Sequence, residues 1–111
     1  MDQTTLLKKL DIPTGVVDVL IDTDAYNEVD DQFAITYALL SPERINTVAI
    51  CAAPFDNSRC TCPEDGMEQS YNEIIKLLGL MNKMELSGRV YKGSRGFMPD
   101  ENTYIASEAA E

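Results

Sequence analysis

Two short apolar runs, Val16–Ile21 and Ile45–Ala52, stand on either side of a stretch with helical spacing, and this alternation most constrains the fold. The runs are rich in Val and Ile and too short for buried helices, so each reads as a strand. Between them, Phe33, Tyr37 and Leu40 fall at i, i+4 and i+7, with Ala34, Ile35 and Ala38 filling in, which predicts a helix over 33–40. Ser41-Pro42 ends it, because a residue before proline is pushed out of the helical region. A second helix is expected to open at Pro63 with Glu64 and Asp65 in its first turn. One face of it carries Met67, Tyr71, Ile74, Ile75, Leu78 and Met81, and Gly79 weakens its last turn. Met84 joins Met67, Tyr71 and Met81 in a stripe that reads as core. A brief third strand is expected at Arg89–Lys92, a short helix at Thr4–Leu10, a turn at Thr14-Gly15 and the start of a further helix over Tyr104–Glu111.

Strand, helix, strand, helix, strand is the order of an α/β chain with a parallel sheet and right-handed crossovers. In such sheets ligands sit outside the carboxyl ends of the strands. Asp22 and Asp24, Asp56 and Asn57, and Ser94 and Arg95 come after the three strands, so one rim collects all three polar sets. Asp18 marks a solvent-facing or edge portion of the first strand, and the strand at 45–52 is apolar on both faces towards its end.

Composition narrows the chemistry. Nine Lys and Arg against 19 Asp and Glu give a formal charge of −10, with no histidine. That balance argues against phosphate backbones and anionic membranes as partners. Any catalysis proceeds without imidazole. No apolar run reaches the roughly 20 residues that span a bilayer, and the N-terminus lacks a signal-peptide core. Three cysteines, at 51, 60 and 62, make no disulfide framework. Free thiols in a reducing cytoplasm are expected, with Cys51 acting as a small buried hydrophobe.

The chemistry concentrates in one acidic loop. Asp22, Asp24, Asp30 and Asp31 occur within ten residues, with Glu28 among them. Carboxylates this crowded repel, and a cation among them relieves the repulsion. Hard ions such as Ca²⁺ and Mg²⁺ prefer such oxygens. Asp22 and Asp24, two apart at a strand end, are expected to point the same way in extended geometry. Helix capping accounts for one or two of the acids and not for the pair at the strand end. The EF-hand pattern fails, since Asn27 and Phe33 stand where it requires Gly and Glu. A phosphatase-type D-x-D, as in the haloacid dehalogenase family, continues with Gly-Thr, whereas Asp24 is followed by Ala25-Tyr26.

The run Val19-Leu20-Ile21-Asp22-Thr23-Asp24, with Asp30-Asp31 opening an apolar helix, resembles the inosine–uridine preferring nucleoside hydrolase family, which opens with D-x-D-P-G-x-D-D at its first strand end. Ser41-Pro42-Glu43, the strand through Thr47-Val48-Ala49-Ile50 and Asn57 are similar to the family's next helix end, strand and loop asparagine. The intervening loop, Ala25-Tyr26-Asn27-Glu28-Val29, is two residues longer than the family's. The resemblance implies a Rossmann-like βαβαβ fold, the N-terminal part of a nucleoside hydrolase fold, as a single and incomplete domain over residues 1–111. It implies calcium-dependent hydrolysis of the N-glycosidic bond of ribonucleosides to ribose and free base, in nucleoside salvage.

By the same resemblance Asp24 matches a calcium ligand that also acts as general base on the attacking water, and Asp31 a bidentate calcium ligand. Asp22 matches a supporting acid beside the metal, Asp30 the acid that contacts ribose hydroxyls, and Asn57 a ribose-binding amide. The remaining ligands and the groups that assist departure of the base belong to later segments of the longer family members. A second copy or a complementary C-terminal segment is then the expected protein partner. Two other functions stand beside this one: a non-catalytic metal-binding fragment or subunit, and a Mg²⁺-dependent phosphohydrolase.

Overall fold

Val17–Thr23 forms β1, Ile45–Ala52 forms β2 and Val90–Lys92 forms β3, in a computed structural model that describes residues 1–111. The three strands make one parallel sheet in the order β1-β2-β3. Helix α1 spans Gln3–Leu10, α2 spans Asp30–Leu39 and α3 spans Pro63–Leu80. Both α2 and α3 contribute to a single core against β2 and β3, through Ile35 and Leu39 on one side and Met67, Ile74 and Leu78 on the other. The expected α/β alternation and parallel sheet are therefore present. No helix is long and apolar enough to cross a membrane.

Alternation along β1 decides what reaches that core. Val17, Val19, Ile21 and Thr23 are wholly or partly buried, whereas Asp18, Leu20 and Asp22 are exposed. Asp18 accepts a hydrogen bond from Asn46 Nδ2 on β2 at 2.7 Å, on the edge strand where a charge keeps its water. The register slips once, so that Val19 pairs with Thr47 and Leu20 with Ala49. Val48 is the extra residue, and it is exposed. Beyond it Ile50, Cys51 and Ala52 are all buried, matching the expected two-sided burial at the end of this strand.

Both ends of α3 are set by local chemistry. Pro63 begins the helix, and Asp65 accepts from the Thr61 backbone N–H and hydroxyl at 2.8 and 3.2 Å. These bonds hold the Asp65 carboxyl below the usual range. At the other end Asn82 takes a left-handed φ of 55°. Lys83 N–H reaches Leu78 C=O at 2.9 Å and Asn82 N–H reaches Gly79 C=O at 3.1 Å, a Schellman stop built on asparagine. Met67, Tyr71, Ile74, Ile75, Leu78 and Met81 all face the core, as their spacing predicts.

Gly66 is required by packing. A Cβ at this position would overlap the Phe55 carbonyl oxygen and touch its ring. Gly66→Ala is therefore expected to destabilise the fold by about 1–3 kcal/mol despite the better helix propensity of alanine. Urea unfolding checks this, and a midpoint unchanged or raised would mean that the loop before α3 yields freely.

Helix α2 opens with Asp30 and Asp31, as expected, and the acid pair extends its first turn ahead of the apolar spacing that starts at Phe33, where carboxylates complement the helix dipole. Two expectations change. The stretch 104–111 holds only a 3₁₀ turn at Glu108–Ala110 instead of the start of a helix. Met84, grouped by its spacing with the core methionines, lies in a separate 3₁₀ segment and is exposed.

Candidate functional site at the strand rim

The carboxyl ends of the strands are level: Thr23 pairs with Ala52, and Ala52 with Lys92. The next residues are stitched to this edge, with Ala53 N–H donating to Thr23 C=O at 2.8 Å and Gly93 N–H to Ala52 C=O at 2.9 Å. The acidic loop rises from this rim and turns at once. Asn27 donates to Asp24 twice, from its backbone N–H to the Asp24 carbonyl at 2.7 Å and from Nδ2 to the carboxylate at 2.9 Å.

Ala25 anchors the loop by complete burial in the core. The Tyr26 N–H donates to the hydroxyl of Ser70, a buried residue of α3, at 3.4 Å. The loop is thus fixed from below by a residue 44 positions away. That fixing brings Asp24 to Asp31. Asp31, half-buried in the first turn of α2, accepts a hydrogen bond from the Thr23 hydroxyl at 2.6 Å. Its carboxyl is pushed above the usual range, first by burial and then by hydrogen bonding to Asp24 and by the charges of Asp24 and Asp30, with the Thr23 bond opposing.

From Asp24 the polar chain continues outward. Asn57 Nδ2 donates to Asn27 Oδ1 at 2.5 Å, and Asn57 Oδ1 accepts from the Arg59 N–H at 2.8 Å. Arg59 reaches back to the Tyr26 carbonyl at 3.5 Å. Asp24, Asn27 and Asn57 form one connected path across the ends of β1 and β2, with the Thr23–Asp31 bond beside it. Asp30 is exposed beside it and makes no side-chain hydrogen bond.

Asp22 lies elsewhere. It belongs to the open face of the sheet with Leu20, and it lines a cavity of about 320 Å³ with Cys51, Gly93 and Ser94 beneath the C-terminal segment. No hydrogen bond joins it to Asp24 or Asp31, because the pleat of β1 stops at Thr23 and Asp24 already belongs to the turn. Burial, and secondarily the Asp22 charge, pushes the Cys51 thiol up. All three cysteines are free.

Of the two rim aromatics, Phe55 is buried in local packing and Tyr26 stays partly exposed. Ser94 closes a local turn onto Gly96, and Arg95 meets Glu64 at 3.7 Å.

Sequence reasoning passed over Thr23 and Asn27. Thr23 was detectable as the polar residue that ends the buried alternation 17, 19, 21, 23. Asn27 was detectable as the one amide in the lengthened loop.

The donor set suits a hard divalent cation in kind, since the Asp24, Asp31 and Thr23 side chains offer only oxygen. The Asp31 carboxyl is raised first by burial and then by Asp24 and Asp30, and a cation would offset that cost of its charge. In number the set is partial. No three acidic or thiol side chains converge closely enough to enclose an ion. Two carboxylates supply at most four of the roughly six to eight oxygens that Ca²⁺ takes. Comparison with protein-family models, with curated proteins and with solved structures finds no match to this chain.

Proposed function

We propose that this chain supplies the N-terminal half of the site of a calcium-dependent hydrolase that cleaves the N-glycosidic bond of ribonucleosides, releasing ribose and the free base. The gathering of Asp24 and Asp31 at the strand rim, the first held by Asn27 Nδ2 and the second by the Thr23 hydroxyl, carries this proposal. Asp24 and Asp31 would hold the cation, and Asp22, on the opposite face of the pleat, would stand apart from them. Bound Ca²⁺ supplies electrostatic activation of the attacking water and an anchor for sugar hydroxyls.

The chain's own groups do the rest. Asp24 accepts the proton of the attacking water at its carboxylate, which is already oriented by Asn27. Asp30, exposed and free of side-chain bonds, faces solvent where a ribose hydroxyl can donate to it. Asn57 offers amide donors and an acceptor at the same rim once its bond to Asn27 opens. The concentrated negative charge stabilises an oxocarbenium-like sugar as the bond to the base breaks.

Ribose release from inosine and from uridine, measured on the full gene product with Ca²⁺, tests the activity. Asp24→Asn is expected to lower the rate by about 10²–10⁴-fold, the usual contribution of a positioned base. Wild-type release no greater than that of Asp24→Asn sinks the hydrolase proposal. Calcium binding without release would favour a non-catalytic metal-binding role. Hydrolysis of phosphate esters with Mg²⁺ in place of ribose release would favour the phosphohydrolase.

A further inference from the structure

The loop between β2 and α3 carries two cysteines that the rim chemistry leaves unused, Cys60 and Cys62. Cys60 is half-buried, and its thiol fastens the turn that runs from Phe55. The thiol proton lies between the Phe55 carbonyl at 3.3 Å and the Asn57 carbonyl at 3.6 Å, and the sulfur accepts from the Asn57 N–H at 3.5 Å. The Phe55 carbonyl accepts no other hydrogen bond, and it lies hard against Gly66 of α3. This turn presents Asn57 to the rim, where Asn57 holds Asn27 and Asn27 holds the Asp24 carboxylate. Thiols are weak donors and weak acceptors, and they are oxidisable. The link from the loop to the rim therefore hangs on a group that redox chemistry can remove.

Cys62 stands two residues on, immediately before α3. It is exposed, and its thiol caps nothing. Each residue advances a chain by at most about 3.6 Å, so the two Cα atoms lie no more than about 7 Å apart. Asp65 shortens that span, because it accepts from both the N–H and the hydroxyl of Thr61 and bends the chain there. Disulfides close over roughly 4.4–6.8 Å between Cα atoms. Cys51 does not compete, being buried within β2.

We infer that Cys60 and Cys62 form a dithiol site for exchange with small disulfides, and that its oxidation releases Asn57 from the rim. The exposed Cys62 sulfur, as thiolate, attacks one sulfur of the small disulfide. That S–S bond breaks, and one small thiol leaves with the proton that Cys62 gave up. Cys60 then attacks Cys62 Sγ in the mixed disulfide, the second small thiol leaves with the Cys60 proton, and the intrachain S–S bond closes. Two protein thiols have lost two electrons and two protons, and the small disulfide has taken them up as two thiols. Cys60 Sγ cannot point into the turn and reach Cys62 at once, so closure strips the thiol from Phe55 and Asn57. A ring closed over one intervening residue is strained, and strained, exposed disulfides are the ones that small thiols reopen.

Incubation of the full gene product with oxidised glutathione tests the inference and needs neither calcium nor substrate. The wild type is expected to lose two of its three thiols and two hydrogens of mass, with the bond mapped to Cys60–Cys62 and Cys51 still free. Reduced glutathione should restore all three. Cys60→Ser should stop with one glutathione on Cys62. Cys62→Ser, a change at an exposed position, should keep both remaining thiols. In the oxidised wild type the Asn57 amide should exchange its hydrogen about fivefold faster or more, the loss of one hydrogen bond. A wild type that keeps three thiols, or that stops at glutathionylated Cys62, overturns the inference. So does a bond formed between chains, and so does an intrachain bond that leaves exchange at Asn57 unchanged.

Discussion

Asp31→Asn is expected to raise the thermal stability of the metal-free protein at pH 7 while lowering calcium affinity by more than about 100-fold. The two effects have one origin. The Asp31 carboxyl is held above its usual range because burial, Asp24 and Asp30 all disfavour its charge. The native state therefore keeps that proton more tightly than the unfolded chain does. The stability contributed by Asp31 is fully present below the unfolded value of 3.8 and is lost as pH rises through the raised value. At pH 7 the metal-free wild type bears this strain in full. Asparagine has the same shape, still accepts from Thr23 and carries no charge, so the strain disappears. The melting temperature of the metal-free variant should exceed that of wild type by a few degrees at pH 7, and the difference should vanish towards pH 3.

Bound calcium would reverse the order, because a cation would convert the strained carboxylate into a ligand. Wild-type affinity should increase with pH over the range in which Asp31 ionises. Calorimetric titration at several pH values checks both halves. An Asp31→Asn protein that binds calcium as the wild type does would remove Asp31 from the metal site. One that melts below wild type at neutral pH would show that its carboxylate is stabilising.

The second large effect is expected at Ile35. This side chain is fully buried and fixes α2 to the sheet together with Ala38 and Leu39. Truncation to alanine leaves a cavity and costs about 2–5 kcal/mol. That is a large share of the stability of any domain of this size. Only nine residues make up the core, so few neighbours can move in to fill the gap. The position also matters to the rim. Asp30 and Asp31 form the first turn of the same helix, one turn before Ile35, and a loosened α2 separates Asp31 from Thr23 and Asp24. Ile35→Ala should therefore lower both the denaturant midpoint and the affinity for calcium. Phe33→Ala, two residues away on the exposed side, should leave the midpoint nearly unchanged. Equal losses at the two positions would mean that α2 does not distinguish an inner from an outer side.

Local pattern carried most of the secondary structure. The β-branched runs at 16–21 and 45–52, the proline opening α3 and the i, i+4 spacing along 67–81 each report on neighbours within one or two turns, and the structure keeps them. The same logic placed Asp18 on a solvent-facing or edge portion of the first strand and Cys51 in the interior. It failed where the cause was distant. The end of the chain reads as a helix by composition, yet it lies along β3 and the open face, where Glu108 accepts from the Lys92 N–H at 3.3 Å and only one 3₁₀ turn forms.

The acids show the same division. Chain order alone gathers four aspartates around the end of the first strand and the start of the next helix. Which of them meet was settled by packing. Asp24 and Asp31 come together because Ala25 is buried in the core and Tyr26 is tied to Ser70 on α3, 44 residues on, whereas Asp22 stays on the opposite face of the pleat. Strand and helix periodicities are short-range and can be read along the chain. The meeting of two carboxylates across a turn depends on what packs beneath that turn, and the sequence records this only as an alanine and a serine far apart.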